Sequence, residues 1–167
     1  IKQKKILILH DAVNINNFPK KKNKLNIKNL TYMGSFHQGK GVELIIELAK
    51  KFQHLNFHLY GAPLKKKYEF TNNLKIYGHI NYNKVPRKLL DSDILLLPSS
   101  KVQFGRSKSV NISNYNSPLK MFDYLAAGRI IVSSKRNGIS EILKHNYNSI
   151  IVKGFSLKAW EKTIYNI

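Results

Sequence analysis

The sequence predicts an α/β fold: a doubly wound parallel sheet in a single Rossmann-like domain. From Leu30 onward, short apolar runs alternate with segments of helical periodicity. The run DILLLP at 93–98 is continuously apolar after its first residue, which is typical of a strand buried on both faces. Three apolar runs end in a glycine, at Gly34, Gly61 and Gly78. Ligands of such sheets bind beyond the carboxyl ends of the strands, so we expect the site in the loops that follow the strands.

The elements follow one another in a regular order. Residues 6–9 are apolar and predict a strand, and the polar stretch after them predicts a linker. We therefore assign residues 1–29 to an end strand and linker, and residues 30–167 to the domain. Residues 101–116 are rich in Ser and Asn and predict a loop. Further strands are predicted at 30–34, 56–61, 74–78, 93–98, 129–134 and 149–152, and helices at 42–52, 83–90, 117–127, 139–144 and 156–167.

The composition is that of a globular domain. The 167 residues are 43% hydrophobic, which is enough to bury a core. The absence of cysteine excludes a disulfide framework and a thiolate zinc site. No apolar run reaches the roughly 18 to 20 residues of a membrane span, so we expect a soluble, unexported protein. Because the chain begins with Ile1 rather than Met, it is compatible with a fragment of a longer protein.

The net charge of +20 favours anionic ligands and surfaces. Nucleic acid and anionic membrane are two candidates. Lysine makes up 25 of the 29 basic residues, however, whereas proteins that read nucleic acid usually rely on arginine for bidentate contacts. An excess of lysine, isoleucine and asparagine is also what an AT-rich genome imposes on a protein surface. A basic module without enzymatic activity stays as an alternative, with nucleic acid disfavoured as its ligand.

The stretch GSFHQGKG at 34–41 lies between a strand and a helix. Its glycines allow close approach of the backbone, and Lys40 adjoins the amino end of the helix, a combination that suits an anion. The stretch nearly matches the phosphate loop of NTPases, but Gly41 replaces the hydroxyl residue that would hold magnesium. We therefore expect phosphate contact without a metal, and a glycine turn with a solvated lysine is the alternative.

An Asp-x-Asp triplet, DSD at 91–93, resembles the metal and nucleotide-sugar site of one large class of glycosyltransferases. Here the triplet precedes a buried strand, so it lies at the amino end of that strand, opposite the expected ligand edge. We expect Asp93 to form local turn hydrogen bonds. No metal site is predicted.

The stretch SPLKMFDYLAAG at 117–128 predicts a short helix with Ser117 as its N-cap and Gly128 just beyond its end. Lys120 in the first turn opposes the helix dipole unless an anion lies there. Asp123, three residues on, shares a face with it and could reach hydrogen-bond donors such as ribose hydroxyls. A Lys–Asp pair on the surface explains the two residues equally well. The apolar face is predicted to comprise Leu119, Phe122, Leu125 and Ala126.

Taken together, these stretches resemble the carboxyl-terminal, donor-binding domain of group 1 (family 4-like) retaining glycosyltransferases with the GT-B fold. The resemblance covers nearly the whole chain, and its specificity comes from the order of the stretches. They are ILHDAVNINNF at 8–18, LTYMGSFHQGKGVELIIELA at 30–49, SDILLLPS at 92–99, SPLKMFDYLAAGRIIVSS at 117–134 and NGISEIL at 137–143.

The resemblance implies roles for individual residues. Lys40 would contact the donor diphosphate, together with Ser35, Ser117 and the backbone amides of Leu119 and Lys120. In the same way, the resemblance places Asp123 on the ribose, Ile80 and His79 at the nucleotide base, and Tyr115 and Asn116 at the sugar.

Two positions depart from the family pattern. Ser35 stands where the family commonly has an arginine that contacts phosphate. Tyr115 stands where the family has a glutamate that contacts the transferred sugar. A degenerate domain that binds nucleotide without catalysing transfer is therefore a further alternative, and no catalytic residue is assigned.

The resemblance also implies an activity: transfer from a UDP- or GDP-linked sugar, without metal or cofactor, to a saccharide or lipid-linked acceptor. The enzyme would act in the cytoplasm, with a peripheral position on the inner face of the plasma membrane as an option. Its acceptor would bind mainly to an N-terminal GT-B domain, which is the partner of this domain and is not in the sequence. We therefore expect the isolated chain to bind donor weakly and to transfer little.

Overall fold

A computed structural model describes residues 7, 9–19, 26–61, 71–102, 111, 113 and 118–167. It contains one sheet of six strands in the order β3-β2-β1-β4-β5-β6, and every pairing is parallel. The strands are β1 Asn29–Met33, β2 Asn56–Tyr60, β3 Leu74–Tyr77, β4 Ile94–Leu97, β5 Ile130–Ser134 and β6 Ile150–Val152. The helices are α1 Val42–Lys51, α2 Val85–Leu90, α3 Lys120–Ala127, α4 Asn137–Ser140 and α5 Leu157–Tyr165, with 3-10 turns at Ile15–Asn17 and Tyr82–Lys84. The predicted doubly wound parallel sheet is confirmed.

Two cores lie on opposite faces of the sheet. One face packs against α1 and α5, whose Ile45 and Trp160 are fully buried. The other packs against α2, α3 and α4. All four residues of β4 are buried, Leu96 in the first core and Leu95 in the second, because successive side chains point to opposite faces. This strand is therefore covered on both faces, as its continuous apolar run predicts.

The segment before the sheet contributes to the second core. Phe18 is 6% exposed and packs there with Val13 beside it. Of the strand predicted at 6–9, residues 6 and 8 lie outside the described residues, and Leu7 and Leu9 are exposed and in no strand. None of the helices in the described ranges is long and apolar enough to cross a membrane.

Helix α3 buries a different face from the predicted one. Leu119 is 65% exposed, and the buried residues are Met121, Tyr124 and Ala127. Phe122, Leu125 and Ala126 are only partly buried. The prediction was wrong because it treated tyrosine as polar, whereas Tyr124 lies in the core with its hydroxyl hydrogen-bonded there.

Helix α4 is shifted from the predicted 139–144. It spans Asn137–Ser140, and Ser140 N donates to Arg136 O at 2.7 Å. An Asn-Gly pair usually indicates a turn, but Asn137 and Gly138 form the first half of this helix. Turns follow the helix up to Leu143 N, which donates to Ile139 O at 2.8 Å, and the next amide, Lys144 N, donates to the Asn148 side-chain oxygen at 2.7 Å.

At the amino edge of the sheet, the carboxylate of Asp93 accepts hydrogen bonds from the backbone of the neighbouring strand. Its Oδ2 accepts from the backbone N–H of Lys28 at 3.1 Å and of Asn29 at 2.9 Å. The expectation of local turn bonds is therefore wrong, because the parallel pairing of β1 with β4 brings Asn29 beside Asp93. Next to it, buried Ser92 donates to Thr31 Oγ1 at 2.6 Å. Two residues of the Asp-x-Asp triplet, Ser92 and Asp93, thus form hydrogen bonds at the amino edge of the sheet, opposite the edge where a ligand is expected.

Candidate functional site

The candidate site lies at the carboxyl edge, where the chain leaves β1 and β4. These neighbouring strands form the switch point of the sheet, since β1 leads to β2 on one side and β4 leads to β5 on the other. The loops after them touch: Ser100 N donates to Gly39 O at 3.0 Å. A Cβ on Gly41 would lie 2.6 Å from Pro98 Cβ, so only glycine permits this approach. The loop at 34–41, called the glycine loop below, is therefore fixed against the loop that follows β4.

Lys120 is the first residue of α3 and lies over the end of β1. Its Nζ is 4.0 Å from the centroid of the Tyr32 ring, and a Cβ on Gly34 would overlap that Nζ. Gly34 has a φ of 147°, in the region that favours glycine. Tyr32 in turn donates from its hydroxyl to Ser35 O at 2.8 Å. The ammonium group of Lys120 is thus enclosed by β1 and its glycine loop.

Tyr124 fixes the position of α3 over the switch point. Its hydroxyl accepts from Met33 N at 2.9 Å and donates to Leu96 O at 3.4 Å, so it joins the helix to both β1 and β4. The first intrahelical donors are Met121 and Phe122, so the N–H groups of Leu119 and Lys120 precede the first helical bond. These amides and Lys120 provide positive charge at the same point.

The cations at this edge are poorly solvated. Burial, and to a lesser extent the charge of Lys40, lowers the pKa of Lys120 to about 7. Burial and the charge of Arg136 lower the pKa of Lys40 as well. Burial raises the pKa of Tyr32, the ring below Lys120. The negative charge of Glu43, which is exposed at the start of α1, raises that pKa further. An anion bound between Lys40 and Lys120 would relieve their mutual repulsion.

Asp123 is held by Tyr82, whose hydroxyl donates to Asp123 Oδ1 at 2.8 Å. Burial raises the pKa of this half-buried carboxyl, and the hydrogen bond from Tyr82 opposes that shift. No ion pair forms between Lys120 and Asp123, both of which are described, so the alternative of a Lys–Asp surface pair is not realised. The carboxylate keeps acceptor capacity for a further donor.

The other predicted residues are distributed as follows. Ile80 packs against the second core, while His79 and Leu119 are exposed. Ser35 contributes its carbonyl to Tyr32. Ser117, Tyr115 and Asn116 lie outside the described residues. Within the described ranges, no group of three His, Cys, Asp or Glu residues could hold a metal ion.

Sequence reasoning missed Tyr82, Tyr124 and Arg136. Arg136 is only 7% exposed and lies directly after β5 at the same edge as Lys40. Its position after a predicted strand, in a chain with only four arginines, is a signal that could have found it. No comparable signal exists for Tyr82 or Tyr124, because their partners are distant in sequence.

Residues 14–167 match the model of a protein family described as glycosyl transferases group 1. No curated protein sequence matches the chain. Solved structures do: HepE from Anabaena in complex with UDP and glucose superposes with a TM-score of 0.69 at 14% identity, over 94% of this chain and 45% of that one. Sucrose-phosphate synthase from Thermosynechococcus elongatus gives 0.74 at 13% identity, over 93% and 41%.

A similar domain is also known by itself. The C-terminal domain of the glycosyl transferase group 1 family protein LpcC from Francisella tularensis gives a TM-score of 0.66 at 15% identity, over 93% of this chain and 87% of that one. This chain thus spans less than half of the HepE and synthase chains but most of the isolated C-terminal domain. The family match and the doubly wound sheet agree, and the chain belongs to the group 1 glycosyltransferases of GT-B fold.

Proposed function

We propose that this chain is the donor-binding domain of a retaining glycosyltransferase that uses a nucleotide-diphosphate sugar. The observation that carries the proposal is the position of Lys120 at the start of α3 with its Nζ 4.0 Å from the centroid of the Tyr32 ring, where burial and the charge of Lys40 lower its pKa. A buried cation without a counterion is unfavourable in the free protein. A bound diphosphate would supply the missing negative charge.

Asp123 provides the second part of the donor site. It lies one helical turn beyond Lys120 on α3, and Tyr82 orients its carboxylate. A diphosphate at the amino end of the helix would place the attached ribose toward Asp123, which accepts hydrogen bonds from hydroxyl groups. Ile80 and His79 are proposed to lie along the base, and Ser35, Ser117, Leu119 and Lys120 around the diphosphate. Tyr115 and Asn116 are proposed to contact the sugar.

The proposed chemistry needs no metal or cofactor. The leaving diphosphate gains negative charge as its bond to the sugar breaks, and fixed positive groups lower the energy of that charge. Lys40, Lys120 and the first amides of α3 are such groups, and they are held in place before the reaction begins. Transfer with retention of configuration is part of the proposal, with no catalytic residue assigned.

The donor is proposed to carry UDP or GDP. HepE, whose fold this chain shares, has been solved with UDP and with UDP-glucose. The acceptor is proposed to be a growing polysaccharide or a glycolipid that binds mainly to an N-terminal GT-B domain. The enzyme would work in the cytoplasm, with peripheral contact to anionic membrane favoured by the net charge of +20.

Calorimetric titration with UDP, GDP and ADP tests the proposal. We expect saturable binding of at least one nucleotide, weakened at least tenfold in Lys40→Met and in Asp123→Asn. Lys158→Met on α5 and Asp11→Asn, both at exposed positions, are the charge-matched controls and should bind as the wild type does. Absence of binding to all three nucleotides would contradict the proposal.

Salt dependence and turnover separate the alternatives. A basic module for nucleic acid or anionic lipid predicts affinity that falls steeply with salt and does not change in Asp123→Asn. A degenerate domain predicts nucleotide binding without turnover, so transfer from the bound donor should be measured with the partner domain present.

A further inference from the structure

Arg136 is a buried cation with one unused hydrogen-bonding edge. Its Nε donates to Ser99 Oγ at 2.7 Å and its Nη1 donates to Ser113 O at 3.1 Å. The Phe155 ring lies 5.3 Å from Cζ. Nη2 is buried and has no hydrogen-bond partner among the described residues. Arg136 is only 7% exposed, so water does not supply the hydrogen bond that Nη2 lacks.

Such an arrangement is costly for a structural residue. A guanidinium stays charged at any physiological pH, and a buried charge normally has an anionic partner. Within the described ranges, no carboxylate forms an ion pair with Arg136. Its two occupied nitrogens face a neutral hydroxyl and a carbonyl. An anion at the Nη2 edge would supply the partner that the described residues lack.

The position of Arg136 relates it to the donor site. Its charge lowers the pKa of Lys40, and its hydrogen bond to Ser99 places it beside the loop that follows β4. In the strand order, Tyr82, which holds Asp123, follows β3 on one side of β1, and Arg136 follows β5 on the other side, while Lys120 lies over Tyr32 of β1. A donor with its ribose at Asp123 and its diphosphate at the lysines would extend toward Arg136.

We propose that Arg136 is a donor-binding residue whose Nη2 edge binds an oxyanion of the donor. The inference rests on the proposed function. The oxyanion is either a diphosphate oxygen or a carboxylate on the transferred sugar, since both accept hydrogen bonds from guanidinium. In the first case Arg136 is an extra phosphate cation in a chain whose glycine loop has Ser35 and no arginine. In the second case it selects an acidic sugar.

The experiment titrates UDP, UDP-glucose, UDP-glucuronate and inorganic pyrophosphate into the wild type and Arg136→Gln. Arg87→Gln removes an exposed arginine on α2 and is the matched control. A diphosphate contact predicts that all four ligands weaken at least tenfold in Arg136→Gln. A sugar contact predicts a loss of at least tenfold for UDP-glucuronate, with the other three ligands unchanged.

Folding is monitored by the thermal transition of each variant. If Arg136→Gln lacks a cooperative transition, Arg136→Lys takes its place, because it keeps the charge but loses the planar edge. Affinities within twofold of the wild type for all four ligands in a folded variant would overturn the inference. If the wild type binds pyrophosphate but no nucleotide, the proposed function fails while the anion site is still tested. If it binds none of the four, both fail.

Discussion

The two edges of the sheet use their charged residues in opposite ways. At the amino edge, Asp93 accepts from two backbone N–H groups, and Ser92 is hydrogen-bonded to Thr31. At the carboxyl edge, Lys120 and Lys40 are partly buried and desolvation lowers the pKa of each, and Arg136 has a nitrogen without a partner in the described part of the chain. Asp93 and Ser92 are therefore satisfied within the fold, whereas Arg136 Nη2 is not.

This difference distinguishes charged residues that stabilise the fold from charged residues that are available to bind a ligand. Buried charges that find partners inside the chain contribute to stability, and those that do not reduce it. Unsatisfied groups persist when a ligand supplies what the fold lacks, which is why perturbed pKa values concentrate at binding sites. Substitution of Asp93 should therefore change stability alone, and substitution of the cations of the candidate site should change binding.

The largest effect is expected for Asp93→Ala at the amino edge. Two backbone N–H groups lose a charged acceptor, which should lower the free energy of unfolding by about 2 to 3 kcal/mol. Chemical denaturation measures this change. Asp93→Asn keeps one acceptor oxygen and should lose less. Nucleotide affinity of the folded variant should equal that of the wild type, and a tenfold loss would break the comparison between the edges.

Gly34→Ala should reduce both stability and binding. The positive φ costs roughly 1 kcal/mol with a side chain, and the new Cβ must displace Lys120 Nζ. Gly128→Ala is the matched control, since Gly128 also has a positive φ but a Cβ there meets nothing within 4 Å. Because the φ of 60° at Gly128 lies in the left-handed region that alanine can adopt, we expect a smaller loss of stability in Gly128→Ala than in Gly34→Ala, and weaker nucleotide binding by calorimetry only in Gly34→Ala. Equal affinities would contradict the placement of Lys120 in the site.

Lys120→Met should increase stability while weakening nucleotide binding. Removing a desolvated charge from an apolar contact is expected to raise the free energy of unfolding by roughly 1 to 2 kcal/mol at pH 7, less the small attraction to Tyr32. Denaturation and calorimetry measure the two effects. Lys158→Met should change neither. A less stable Lys120→Met would show that the lysine contributes to folding.

The pH dependence of stability tests the desolvation of Lys120 independently. The pKa of Lys120 in the folded protein, about 7, lies below its ordinary value of 10.5. Between pH 7 and pH 10.5, the unfolded chain therefore holds a proton on Lys120 more readily than the folded protein does. The free energy of unfolding of the wild type should therefore rise with pH from about 7 upward, by at most about 1.4 kcal/mol per unit from this group. The difference from Lys120→Met, measured from pH 7 to 9.5, should shrink as pH rises. A constant difference would contradict the lowered pKa.

The smallest effect is expected for Tyr82→Phe. Tyr82 is 53% exposed, so the loss of its hydrogen bond to Asp123 should change the free energy of unfolding by less than about 0.5 kcal/mol. Donor affinity should fall a few-fold because the carboxylate is no longer oriented. Tyr165→Phe, at an exposed position on α5, is the control for both measurements.

Much of this fold could be predicted from the sequence, because local patterns encode it. The apolar run of β4 and the alternation of strand and helix follow from periodicity, which each segment carries by itself. The glycine loop and Lys120 could be placed at the carboxyl edge for the same reason, since a loop after a parallel strand has one edge to occupy. The buried face of α3 and the bounds of α4 were not predicted, because they depend on packing against residues distant in sequence, such as the contact of Tyr124 with Met33.

By itself the sequence determined the order of the elements, the edge where the site lies, and the importance of Lys40, Lys120 and Asp123. Only the tertiary structure decided their partners. Tyr82 meets Asp123 across 41 positions, and Tyr124 meets Met33 across 91. Desolvation of Lys120 and Arg136 likewise arises from groups that the sheet brings together. Hydrophobic periodicity is a property of neighbouring residues, whereas hydrogen-bond partners and burial depend on how the whole chain packs.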